Sequence, residues 1–91
     1  MQYSVSIPHH AKKQLRAIPK PDATRILDAV EGFSQELDYF RYDVRKVVNS
    51  PKNQPRFRLR VGDYRVIMFI LHDILIIEVI SVQRKKEGMK Y

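Results

Sequence analysis

The sequence predicts a single two-layer α+β domain. It has an N-terminal strand, an αα-hairpin and then a mainly antiparallel sheet (β-α-α-β-β-β, with a further short strand over 41–48 ahead of the last three). Three observations carry this reading. Apolar residues recur at helical spacing between Asp22 and Leu37. Apolar and basic residues alternate strictly from Arg56 to Val61, the pattern of a strand with one buried face. Gly62-Asp63 then separates that run from a second strand-like run, Tyr64 to Leu71, as a two-residue hairpin loop does.

Taken in order, Gln2 to Ile7 alternates, with Tyr3, Val5 and Ile7 on one side, and forms a short strand. Pro8 suits the first turn of a helix striped by Ala11, Leu15 and Ile18, with Lys12, Lys13 and Arg16 on its other faces. Pro19-Lys20-Pro21 stops that helix, and Asp22 is the expected N-cap of the next. Ile26, Val30, Phe33 and Leu37 stripe the second helix. Gly32 inside it costs about 1 kcal/mol against alanine, so tertiary packing must hold the helix together. Arg41 to Val48 reads as a strand with Tyr42, Val44 and Val48 on one face and Lys46 breaking the pattern. A turn-rich loop over 49–55 follows.

The last strand is expected from Ile74 to Val82, after a two-residue loop at His72-Asp73. Loops of this length fix the register. In the first hairpin Val61 faces Tyr64, Arg60 faces Arg65 and Leu59 faces Val66. In the second, Leu71 faces Ile74, Arg65 faces Ile80 and Tyr64 faces Ser81. One sheet face then carries the core, from Phe57, Leu59 and Val61 through Tyr64 and Val66 to Leu75, Ile77 and Val79. The other carries Arg56, Arg58, Arg60, Arg65 and Glu78 among Ile67, Phe69, Ile76 and Ile80. That second face is basic at one end and apolar at the other, and its apolar part is larger than a solvated face needs, as a surface covered by a partner would be.

At 91 residues, 44% hydrophobic and 30% charged, the chain suits one globular domain rather than a disordered segment. There is no cysteine, which removes disulfides and thiolate metal sites. The N-terminus has no secretory leader pattern, and the longest apolar run, Val66 to Leu71, is too short to span a bilayer. A cytoplasmic protein with no membrane partner is the expectation. Lysine and arginine total 17 against 10 acids, for a net charge of +7, which favours a polyanionic partner. The charge is segregated: residues 22–40 hold five acids and one arginine, whereas from Arg41 onward twelve basic groups face five acids.

The expected register brings the end of the last strand back to the Gly62-Asp63 tip. Arg84, Lys85 and Lys86 then leave the sheet beside Arg60 and Arg65, with Tyr91 on a short tail. Like charges opposed across a strand pair are destabilising, so Arg60 and Arg65 either splay into water or hold an anion. Arginine forks match phosphate oxygens bidentately, and a tyrosine ring can stack on an unpaired base. The bland alternative is that Glu78, diagonal to Arg65 in this register, neutralises it. His9 and His10 are surface residues at a helix start. The sequence offers no Gly-rich phosphate loop, no Ser–His–Asp pattern and no metal cluster, so neither cofactor nor metal is expected.

Arg58-Leu-Arg60-Val-Gly-Asp-Tyr-Arg65-Val-Ile, followed by Val79-Ile-Ser-Val82 and a basic tail ending in Tyr91, resembles the RelE-like toxins of the RelE/ParE superfamily over nearly the whole chain. The resemblance implies a type II toxin that enters the ribosomal A site and cleaves mRNA through attack of a 2′-hydroxyl on the adjacent phosphate. It implies catalytic roles for Arg65, for Arg84 or Lys85, and for Tyr91. RNA-binding roles fall to Arg58 and Arg60, with Arg56 and Lys86 added from the basic face and tail. A cognate antitoxin is also implied, acidic, partly disordered and helical once bound, forming a toxin–antitoxin hetero-oligomer. The sequence departs from many members in having Gln83-Arg84 where they have a histidine-arginine step, which leaves the general acid or base unassigned. Two alternatives stand beside this reading: a ParE-type inhibitor of DNA gyrase, and a non-catalytic nucleic-acid binder.

Overall fold

The computed structural model describes residues 2–84. The elements are β1 (Ser4–Ser6), α1 (His9–Arg16), α2 (Lys20–Glu36), β2 (Val44–Lys46), β3 (Arg56–Val61), β4 (Tyr64–Leu71) and β5 (Ile76–Arg84). The five strands form one sheet in the order β1-β5-β4-β3-β2. β1 runs parallel to β5 and every other pair is antiparallel. Helix α1 lies against β5, and α2 against β1 and β3. The two-layer α+β architecture is therefore the one the alternation and the helical stripes predict.

The core lies between the helix pair and one sheet face. Ala11, Leu15, Ile26, Val30 and Phe33 meet Leu59, Val66, Met68, Ile77 and Val79, all buried. The helix boundaries differ from expectation. Pro19, not Asp22, caps α2, and Pro21 sits in its first turn, where its missing N–H has no intrahelical partner to lose. Asp22 is thereby free to bond elsewhere. Leu37 ends the helix in a left-handed conformation (φ 51°), its N–H donating to the Phe33 carbonyl at 2.7 Å.

Gly32 has a packing reason to be glycine. A Cβ there would lie 2.5 Å from the Tyr42 hydroxyl oxygen and 2.9 Å from two ring carbons. The Tyr42 ring thus lies on the helix backbone, and its hydroxyl donates to Glu36. We expect Gly32→Ala to lower the melting temperature in the parent protein. In a Tyr42→Ala background the same substitution should raise it, because alanine is worth about 1 kcal/mol over glycine in an open helix position. Thermal melts of the four variants check the reversal.

The first hairpin forms as the sequence dictates: Val61 pairs with Tyr64, Arg60 with Arg65 and Leu59 with Val66. Gly62 takes φ 56° while Asp63 stays at negative φ, the requirement of a II′ turn with glycine first. The second hairpin differs. Its loop is four residues, 72–75, so Leu71 pairs with Ile76. Leu75, expected in the core, turns the chain at φ 54° and is 37% exposed. The register shifts once more between Ile67 and Met68: Met68 pairs with Val79 but Ile67 pairs with Ser81. Ile80 is therefore an extra residue on β5, a β-bulge. Arg65 consequently faces Gln83, not Ile80, and Tyr64 faces Arg84, not Ser81.

β2 is shorter than the strand expected over 41–48. Tyr42 lies in the preceding turn, and Val48 is exposed beyond the strand end. At the other edge β1 covers only Ile76, Ile77 and Glu78 of β5. Farther along β5, the Val82 N–H donates to the Gln14 side chain of α1 at 2.7 Å. His72, in the second loop, is hydrogen-bonded to the Tyr3 hydroxyl at 2.6 Å and fastens the N-terminal segment to the sheet end away from the Gly62-Asp63 tip.

Candidate functional site

Cross-strand pairing sorts the basic residues by face. Arg45, Arg58, Ile67 and Ser81 form one row across β2, β3, β4 and β5, and Arg60, Arg65 and Gln83 form the next. Arg56 stands in a third row with Phe69 and Glu78. All of these project from the sheet face opposite the helices, because Leu59, Val66 and Val82 on the alternate positions are buried in the core. Arg56 and Arg60 are exposed, Arg58 is half-buried, and Arg65 is only 9% exposed.

Among the described residues no ion pair engages Arg56, Arg58 or Arg60; the ion pairs formed are Arg25–Asp22, Arg41–Glu36 and a loose Arg45–Asp43 contact of 3.8 Å. Glu78 is the one acid on the strands of this face, and it stands opposite Phe69. That is four positions along β4 from Arg65, roughly 13 Å by strand geometry, so the expected diagonal contact with Arg65 does not form. The Arg58 Nε is buried with no hydrogen-bond partner among the described residues. Buried guanidinium nitrogens without acceptors are costly, and a bound phosphate oxygen would supply one.

Arg84 is placed differently from expectation. It reaches the hairpin tip, opposite Tyr64, but on the helix side of the sheet, because the Ile80 bulge puts Gln83 rather than Arg84 on the face of Arg65. Lys85, Lys86 and Tyr91 lie outside the described residues. On the helix side the buried Tyr64 hydroxyl donates to Asp22 at 3.2 Å, and Arg25 pairs with the other Asp22 oxygen at 3.2 Å. This contact ties the tip of the arginine hairpin to α2. Sequence reasoning missed it by spending Asp22 on a cap.

Burial and the hydrogen bond to Asp22 push the Tyr64 hydroxyl above the usual tyrosine range, against a smaller opposing effect of Arg84. Tyr39 is raised chiefly by burial and Tyr42 chiefly by its bond to Glu36. All three folded values lie above the unfolded one near 10. Their stabilising effect is thus complete below about pH 10 and is lost as pH climbs through the folded values. Denaturation at increasing pH should show stability falling above about pH 10, with a shallower fall in Tyr64→Phe.

His9 and His10 are exposed at the start of α1, and no group of three or more His, Asp or Glu side chains among the described residues is placed to hold a metal ion. No described helix is long and apolar enough to cross a membrane.

With helices on one face of its sheet and an arginine hairpin on the other, the chain is a small α+β toxin of the RelE/ParE superfamily. The chain belongs to the family described as ParE toxin of type II toxin-antitoxin system, parDE, whose model matches residues 5–89, and within the superfamily it is a RelE-like toxin. The fold is shared with RelE of the archaeal RelE–RelB complex from Pyrococcus horikoshii, at 25% identity and TM-score 0.79 over 97% of this chain and 100% of that one. It is shared too with a chain of the RelBE2 toxin–antitoxin complex from Mycobacterium tuberculosis, at 17% identity and TM-score 0.73 over 93% of each chain. A mutant of E. coli RelE in the free state matches at 19% identity and TM-score 0.70, over 97% of this chain and 87% of that one. No curated protein sequence matches the chain significantly.

Proposed function

We propose that this toxin is a ribosome-dependent mRNA endonuclease that works without a metal ion and is held inactive by a cognate antitoxin. The observation that carries the proposal is the row Arg60–Arg65 beside Arg58, whose buried Nε has no hydrogen-bond partner among the described residues. In the proposed reaction the 2′-oxygen bonds to the adjacent phosphorus as the bond to the 5′-oxygen breaks. The 2′-proton leaves to a base and the 5′-oxygen gains a proton, giving a cyclic phosphate and a free 5′-hydroxyl. Negative charge accumulates on the phosphoryl oxygens, where Arg65 stabilises it and Arg56, Arg58 and Arg60 hold the flanking strand. The second cation is supplied by Arg84, which turns to the helix side, or by Lys85. Lys86 binds RNA, and Tyr91 stacks on a base or relays a proton.

An antitoxin partner is supported by the Pyrococcus horikoshii, E. coli and Methanococcus jannaschii structures, each a RelE toxin bound to RelB. Here the half-buried apolar side chains Ile67, Phe69 and Ile76 beside the arginines suit an acidic amphipathic segment. The test is translation with purified ribosomes. Cleavage of A-site codons that stops on adding the antitoxin is expected, and intact mRNA would refute the proposal. The family description as ParE favours a second reading, inhibition of DNA gyrase. A supercoiling assay decides it, since gyrase inhibition that survives Arg60→Ala with Arg65→Ala would favour that target.

A further inference from the structure

A cleft of about 350 Å³ lies beside the arginine face, lined by Tyr39, Phe40, Asp43, Val44 and Arg45. Its aromatic pair is unusual. Tyr39 packs edge-on against Phe33 at 5.2 Å and Phe57 at 5.9 Å, so it is a fixed wall rooted in the core. Phe40, its neighbour in sequence, is 100% exposed. A phenylalanine held wholly in water gains nothing from folding, and its ring is open to a ligand.

The edge strand β2 offers a partner strand little to pair with. The 39–43 turn folds over it, and the Val44 N–H already donates to the Tyr39 carbonyl at 2.8 Å. Addition of a peptide strand would lack that donor. The polar groups of the cleft fit a nucleotide better. Arg45 is exposed and only loosely paired with Asp43 at 3.8 Å, whereas Arg41 is occupied by Glu36 and the Tyr42 ring. Arg45 also stands directly across from Arg58. By strand geometry its Cα lies roughly 12 Å from that of Arg65, a span that neighbouring nucleotides of one extended strand can bridge.

We infer that this cleft is a subsite for an unpaired guanine of the bound RNA, stacked on Phe40, read along its N–H edge by the Asp43 carboxylate and held through its phosphate by Arg45. Stacking on an aromatic face is available to any base. A carboxylate only accepts, and guanine presents two adjacent N–H donors where cytosine presents a single amine. The subsite deepens the RNA-cleaving reading and rests on it for the identity of the strand, but its binding chemistry can be tested without a ribosome.

The experiment is an NMR titration of the protein with guanosine 5′-monophosphate and, separately, cytidine 5′-monophosphate. Guanosine monophosphate should shift Tyr39, Phe40 and Asp43 and bind about tenfold more tightly than the cytidine nucleotide. Phe40→Ala should weaken it about tenfold, the size of a lost base–aromatic stack, with an unchanged melt because the ring is exposed. Asp43→Asn should erase the preference between the bases; asparagine tolerates the left-handed backbone there (φ 52°). Equal binding of the two nucleotides, or guanosine binding untouched by Phe40→Ala, overturns the proposal. Loss of guanosine binding with ribosomal cleavage intact would refute the subsite alone, and the converse would refute only the cleavage reading.

Discussion

Replacing Arg65 with alanine should lower A-site cleavage by a factor of about 10²–10³, the range for removing one preorganised donor from a site of developing charge. The reason is its position. Arg65 is central in the row Arg60–Arg65–Gln83 and is 9% exposed, so its charge acts from a less watery setting than that of its exposed neighbour Arg60. Burial also means that alanine leaves a cavity, and a melt must accompany the rate. Arg65→Lys separates the two effects: it keeps the charge and most of the volume but lacks the planar fork. Its rate should fall between parent and alanine variant. Arg60→Ala, at the exposed partner position, should cost less in rate and almost nothing in stability. A folded Arg65→Ala protein that cleaves as fast as the parent would remove Arg65 from the mechanism.

Phe33→Ala should be the most damaging single core change among those considered, at about 3–5 kcal/mol. Phe33 is 0% exposed and meets Tyr39 at 5.2 Å and Tyr42 at 6.2 Å, both edge-on. It thus joins α2 to the turn that delivers the chain into β2. Because a domain has only about 5–15 kcal/mol in total, the variant should be substantially unfolded near body temperature. Urea denaturation measures the loss, and a change under about 1 kcal/mol would show that the aromatic cluster contributes far less than its burial implies.

Much of the fold was legible because the chain repeats its signals. The first hairpin was fixed twice, by the alternation through Arg56–Val61 and by glycine in a two-residue turn, and all three expected pairs formed. The second hairpin carried no such redundancy. Leu75 and Ile74 are apolar and β-like, so they read as strand, yet they occupy the turn. Ile80 is equally apolar, and nothing in its identity marks a bulge. A bulge exchanges the two faces of everything beyond it, which is why Arg84, expected beside Arg65, lies on the helix side and Val82 is core. Asp22 failed for another reason. Its composition fits a cap, and only the three-dimensional meeting of α2 with the hairpin tip shows that Tyr64 claims it.

The parallel pairing of β1 with β5 has a consequence for synthesis. Residues 4–6 join residues 76–78, a contact between distant parts of the sequence, and such contacts are closed late and slowly. Helices α1 and α2 are local and can form as the chain emerges, but the sheet they cover cannot close until β5 has left the exit tunnel. Until β5 emerges, the arginine hairpin of β3 and β4 therefore stands without the strand that pairs along the far side of β4.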